Sequence, residues 1–220
     1  TDRVGFHKYT YSNTSDRRVM LDLGHILQPN WGHKLVSNDV EVVSNEEIRG
    51  TFRTQGWAHF HSVSYRILFS EPADSIRMFT DGKETPASVP SKMHSDKDLK
   101  YHFKFPASDK PLLVKVALSP VDPDGAVKNM ESELPEWDFD ATVAQSEQVW
   151  NEALNRVSMT SSDPVVMKNF YTALYHSMIA PFAYQDVDGR YLGMDKQVHT
   201  AEAGYTNYTV FSLWDTFRAL

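Results

Sequence analysis

The residues best equipped for chemistry lie in Ser212-Leu213-Trp214-Asp215. A Trp beside an Asp at the start of a helix sets an aromatic plane next to a bidentate hydrogen-bond acceptor. The plane stacks on apolar C–H faces and the carboxylate accepts from paired hydroxyls, a combination suited to a sugar. Arg218 follows Asp215 by three residues, one helical turn away, where it either fixes the carboxylate or reaches a ligand itself. The same stretch also reads as a capping box, with Ser212 as the cap and Asp215 returning a bond to it. Residue types alone leave both readings open.

Two other clusters invite a metal. His59-Phe60-His61 would put two imidazoles on one face of a strand, but zinc needs a third ligand and an outer shell. The expectation is a pair of histidines on a polar strand face. Asp186-Val187-Asp188-Gly189 opens like a calcium loop. An EF-hand then requires an oxygen ligand at position 5, Gly at 6 and Glu at 12. Arg190, Tyr191 and Gln197 stand there instead, so a plain turn is expected. No nucleophile elbow, phosphate loop or dinucleotide fingerprint is present. With no cysteine among 220 residues, thiolate catalysis and cysteine-ligated zinc are excluded. A net charge of −7 argues against nucleic acid, because no basic excess is available to neutralise phosphates. No apolar run reaches the eighteen residues of a membrane-spanning helix.

The elements that must position these residues change character near residue 126. Before it, short alternating or β-branched runs at 18–22, 35–43, 62–69, 76–80, 101–105 and 112–119 read as strands of an antiparallel sandwich. Turns are expected at Pro29-Asn30, Asp81-Gly82 and Pro123-Asp124-Gly125. After it, Asp138 or Asp140 caps a helix to about Val157, with Val143, Trp150, Leu154 and Val157 on one face. Asp163-Pro164 starts another, running to about Ala180. Its apolar residues occupy two faces, so it is expected to be buried on both sides. Asp188-Gly189 reads as a hairpin turn. A last helix begins near Ser212, and its apolar face (Leu213, Trp214, Phe217) leads to the expectation that this chain is part of a longer polypeptide.

The segments VALSPVDPDG (116–125), NMESELPEWDFD (129–140), FYTALYHSMIAPFAYQDVDGRYLGMD (170–195) and YTVFSLWDTFRAL (208–220) resemble glycoside hydrolase family 92, the calcium-dependent exo-acting α-mannosidases. RVGFHKYTY near the start, LDLGH at 21–25 and the GW…H…YRILF stretch at 56–69 match the same family in order, so the resemblance spans the chain.

The resemblance implies a β-sandwich over residues 1–126, a linker with a helix over 127–162, and the start of an (α/α)6 catalytic barrel over 163–220, both end units incomplete. It implies hydrolysis of terminal α-mannosides with inversion. The acid and base then stand roughly 6.5–9.5 Å apart to admit water. The family's acid, base and calcium ligands have no counterpart in these residues. None is transferred, and calcium is expected to be bound outside this segment. Trp214 and Asp215 are expected to line the terminal-mannose pocket, with Arg218 a weaker candidate. Trp31 and Trp57 are assigned no role and are expected as core or linker contacts. The partners implied are a mannose-containing glycan and the rest of the barrel, in a periplasmic, cell-surface or secreted setting. The segment alone is expected to be inactive. The competing reading is a non-catalytic carbohydrate-binding or structural sandwich module.

Overall fold

A computed structural model describes residues 1–209 of the chain. Ten strands come first: β1 (Val4–Tyr9), β2 (Arg17–Asp22), β3 (Lys34–Val42), β4 (Glu47–Gln55), β5 (His61–Phe69), β6 (Ser75–Thr80), β7 (Lys83–Thr85), β8 (Ser91–Ser95), β9 (Leu99–Phe105) and β10 (Leu112–Ser119). They form two antiparallel sheets, ordered β1-β10-β5-β4-β3-β8 and β2-β9-β6-β7. Three helices follow: α1 (Pro123–Glu133), α2 (Phe139–Leu154) and α3 (Pro164–Ser177). Four short strands close the described chain: β11 (Phe182–Ala183), β12 (Arg190–Leu192), β13 (Val198–Thr200) and β14 (Tyr208–Thr209).

Alternation builds the sandwich. In β9, Leu99, Tyr101, Phe103 and Phe105 all turn inward and are at most 1% exposed, while Lys100, His102 and Lys104 lie on the other face. They pack against Val40 and Val42 of β3, Ile48 of β4, Tyr65, Ile67 and Phe69 of β5, and Leu112 and Val114 of β10. Phe69 meets Phe103 and Phe105 with ring centroids 4.8 and 5.0 Å apart. Burying side chains of this size contributes about 1.5–3 kcal/mol each before the entropy of ordering them is subtracted.

β10 is covered on both faces. Its second face carries Lys115, Ala117 and Ser119, and on it lies α1 with Ala126, Met130 and Leu134, beside Val4 of β1. The sequence suggests a turn at Pro123-Asp124-Gly125, and the structure corrects this: the three residues are the first turn of α1. Asp122 is the cap, its Oδ1 accepting from the Gly125 amide at 2.6 Å, and Pro123 takes the first helical position. Asp-Pro serves a turn and a helix start equally well, and the uncovered face of β10 decides between them. Lys115 then closes the far end of α1. Its Nζ donates to the Leu134 and Pro135 carbonyls at 2.8 and 3.0 Å and lies 4.1 Å from the Trp137 ring centroid.

α2 and α3 begin where the sequence indicates. Asp138 accepts from the Ala141 amide at 2.9 Å, and Asp163 from Val165 at 2.8 Å with Pro164 next in line. Trp150 of α2 packs on Tyr175 of α3, ring centroids 4.7 Å apart. The expectation that α3 is buried on two sides is not met among the described residues. Neither helix holds a fully buried residue, and Val149 and Val165 are exposed.

The hairpin expected at Asp188-Gly189 is also corrected. That turn joins β11 to β12, but these strands do not pair with each other. β12 pairs with β13 around residues 193–197, and β11 pairs with β14.

Candidate functional site

Trp214, Asp215 and Arg218 lie outside the described residues. What the structure shows is the base from which that stretch departs. In β14, Thr209 pairs with Phe182 and Tyr208 with Ala183. Asn207 is tied in as well, its Nδ2 donating to the Tyr184 carbonyl at 3.1 Å and its amide to Gln185 Oε1 at 2.7 Å. Segment 182–185 is in turn held by the sandwich. Arg3 donates through Nε to the Gln185 carbonyl and through NH1 to Glu133 of α1, both at 2.5 Å. One arginine thus ties the strand side of the molecule, α1 and the platform beneath residue 209 together.

Asp186 makes the second attachment. It is fully buried, and its carboxylate accepts from Ser119 Oγ at 2.8 Å and Asn129 Nδ2 at 2.7 Å. Asn129 turns its oxygen back to the Val187 amide at 2.8 Å. Gly125 is required here, because a Cβ would collide with Asp186 Oδ2 and Ser119 Oγ. Around this centre Arg190 donates to both Asp122 oxygens, at 2.7 and 3.2 Å, and to Asp188 at 2.9 Å, while Lys128 reaches Asp188 at 2.8 Å.

The electrostatics divide the three carboxyls. Burial pushes Asp186 above the usual carboxylate range, although Ser119 and Asn129 oppose the shift. The Arg190 hydrogen bond holds Asp122 below it. Burial would raise Asp188, but the bonds from Lys128 and Arg190 outweigh it and bring it to about 2. A raised and a lowered carboxyl side by side suit acid–base catalysis. That chemistry needs access, and Asp186 has none: its oxygens are taken by Ser119 and Asn129 under Gly125. The network positions the 182–209 segment.

Calcium demands six to eight oxygen donors. The described residues do not fit it. Among them no group of three or more acidic, histidine or cysteine residues could hold a metal. The Asp186–Gly189 turn, the nearest candidate by sequence, presents carboxylates already taken by donors. His59 and His61 do not share a strand face, because residue 59 sits in the bend before β5 and only His61 belongs to the strand.

Trp31 and Trp57 are neither core nor linker contacts. They are 57% and 79% exposed and stack on each other, centroids 5.3 Å apart and planes 24° from parallel. His33 meets Trp57 edge-on at 6.2 Å. Trp57 lines a cleft of about 510 Å³ bounded by His25, Gln28, Phe52, Thr54 and His61 among others. Nothing in the local spacing marks these indoles as exposed, since a lone Trp between strands reads equally well as core.

Comparison with known proteins agrees with this architecture along the chain. A family model described as the glycosyl hydrolase family 92 N-terminal domain matches residues 1–119, and one described as the family 92 catalytic domain matches residues 125–220. A solved family GH92 alpha-mannosidase from Bacteroides thetaiotaomicron is 31% identical with a TM-score of 0.87, covering 97% of this chain and 29% of that one. A family GH92 inverting mannosidase from Bacteroides thetaiotaomicron VPI-5482 is 16% identical with a TM-score of 0.77, over 94% of this chain and 27% of that one, and attests the fold. An uncharacterized secreted glycosidase from Arthroderma benhamiae is 36% identical over 74 residues, 32% of this chain and 10% of that protein. The chain thus spans less than a third of the length of these relatives. With the N-terminal model alone covering more than half of its residues, the chain belongs to glycosyl hydrolase family 92.

Proposed function

We propose that this chain works as part of a longer α-mannosidase that removes terminal α-linked mannose from glycans with inversion. The observation that carries the reading is the continuous likeness to the Bacteroides thetaiotaomicron alpha-mannosidase, 97% of this chain at 31% identity. The 29% share of that chain supports the corollary that the catalytic acid, the base and the calcium ligands are supplied by other residues of the polypeptide. Residues 1–126, 127–162 and 163–220 are then the sandwich, the linker and the start of the barrel. Trp214 and Asp215 form one wall of the terminal-mannose pocket, with Asp215 accepting from sugar hydroxyls and Arg218 beside it. Secretion or display at the cell surface suits a glycan substrate, and the secreted glycosidase relative supports it. Among the described residues no helix is long and apolar enough to cross a membrane.

The alternative, a non-catalytic binding module, is the weaker reading because the catalytic-domain model matches residues 125–220. The test is turnover of an aryl α-mannoside and of mannobiose by the full-length protein, with the first-formed anomer of mannose read by proton NMR. β-Mannose is expected. α-Mannose as first product would overturn inversion, and absence of turnover would overturn the mannosidase assignment. Turnover by residues 1–220 alone would overturn the corollary.

A further inference from the structure

The stretch proposed above to carry the sugar contacts is entered through a very short ladder. β14 is two residues long and pairs with the two residues of β11. A ladder of that length is marginal on its own, so side chains must set where residue 209 ends. Asp215 is the sixth residue after Thr209, and any drift of the ladder is passed along the backbone to it.

Asn207 meets this need. Its amide donates to Gln185 Oε1 at 2.7 Å, its Nδ2 donates to the Tyr184 carbonyl at 3.1 Å, and its carbonyl accepts from the Tyr184 amide at 2.7 Å. Upstream the chain arrives through a turn, with the Tyr205 amide on the Glu202 carbonyl at 3.0 Å and Gly204 at φ 86°. Asn207 is therefore where the chain is caught before it continues to residues 210–215.

Gln185 is the group that catches it, and it is anchored on both sides. Its carbonyl accepts from Arg3 Nε at 2.5 Å. Arg3 is fixed by Glu133 of α1, whose carboxylate takes both NH1 at 2.5 Å and the Arg3 amide at 3.0 Å. The next residue, Asp186, is fully buried between Ser119 and Asn129. The Gln185 side chain is thereby set relative to the sandwich and to α1 at once. The arrangement does not depend on any surface being free: the Arg3 and Glu133 side chains are only 15% and 14% exposed, and every bond lies within the chain. Anchoring of this kind lets a residue away from the chemistry matter, because about 1 Å of misplacement costs about 10²-fold in rate.

We propose that Gln185 is a positioning residue for mannoside hydrolysis: through Asn207 it fixes the point from which the chain runs on to Trp214 and Asp215. The proposal rests on the reading of Asp215 as a sugar contact; the hydrogen-bonded chain Glu133–Arg3–Gln185–Asn207 is independent of that reading.

The test is a mutant cycle in the full-length protein, read by turnover of an aryl α-mannoside and by thermal midpoint. Gln185→Leu removes the acceptor but keeps the backbone carbonyl that Arg3 uses, and Gln185→Glu puts an acceptor back. Gln185→Leu is expected to lower kcat about tenfold with KM within about twofold of wild type, and Gln185→Glu to recover most of the loss. Lys115→Met frees the Leu134 and Pro135 carbonyls without touching Gln185 or Asn207. It is expected to lower the thermal midpoint at least as far and to leave kcat and KM near wild type. The cycle with Asp215→Ala decides the route: the tenfold loss should vanish when Gln185→Leu is made in the Asp215→Ala protein. An equal loss in that background, a loss that Gln185→Glu does not recover, a comparable loss in Lys115→Met, or unchanged kinetics of Gln185→Leu would each overturn the proposal while the mannosidase reading stands. Near-normal kinetics of Asp215→Ala would overturn it as well. Absence of turnover by the wild type would remove the mannosidase reading and this proposal with it.

Discussion

At the scale of single residues, two aspartates carry the sharpest expectations. In the full-length protein Asp215→Ala should lower kcat/KM for an aryl α-mannoside by about 3–5 kcal/mol in transition-state terms, with the thermal midpoint nearly unchanged. A fall in the midpoint with near-normal kinetics would instead identify Asp215 as the return partner in a capping box. Asp186→Ala should do the opposite and act on stability. It leaves Ser119 and Asn129 buried without their acceptor, at a cost of about 2–3 kcal/mol in urea unfolding. Asp186→Asn should cost less, because burial already disfavours the charged form. The two aspartates also differ in legibility. The adjacency of Trp214 and Asp215 raises a sugar site as one reading, beside a capping box, and the family resemblance is what favours the first. Asp186 reads as part of a turn, because its partners stand 67 and 57 positions earlier and no local spacing can reveal them.

Among elements, strands with clean alternation are plain in the sequence and those interrupted by close packing are not. β9 reads directly from LKYHFKF. β4 does not, because Gly50 breaks its pattern. The glycine is there for the approach of β3, where a Cβ would run into the Asp39 carbonyl. α1 is hidden by Asp-Pro-Asp-Gly, which serves a turn and a helix start alike, and only the second face of β10 resolves it. Lys115→Met tests how α1 is held: the stem stays packed, but the ammonium bonds to Leu134 and Pro135 are lost. A loss of about 1–3 kcal/mol is expected, read from the denaturant midpoint. The clasp between α1 and the 186–190 turn should be acid-labile. Asp122 and Asp188 are both lowered, Asp188 to about 2, so their stabilisation is complete above about pH 4 and disappears as pH falls through their folded values. Asp186 is raised and runs the other way: its contribution is present at low pH and lost as pH rises through its folded value. Asp188→Asn should therefore flatten the decline of thermal midpoint between about pH 4 and pH 2. An unchanged slope would mean that the clasp does not carry the acid response.

For the whole molecule, the proposed function bears on how activity should respond to metal. If calcium is held by other residues of the polypeptide, as proposed above, a chelator should abolish mannoside turnover by the full-length protein while leaving the unfolding of residues 1–209 unmoved, because among the described residues no group of three or more metal-ligating side chains comes together. A joint loss of both would place a structural metal within them. The overall plan, sandwich then helices, is legible because periodicity switches near residue 126. How the parts lock together is not, because Arg3, Asp122 and Asp186 find their partners across long stretches of chain. That lock has a consequence for the protein while it is being made. Translation releases Ser119 and Asn129 well before Asp186, so the receptor for the carboxylate is finished while its guest is still inside the ribosome. The nascent sandwich offers a wet polar notch, and the helical part is moored to something already built as it emerges.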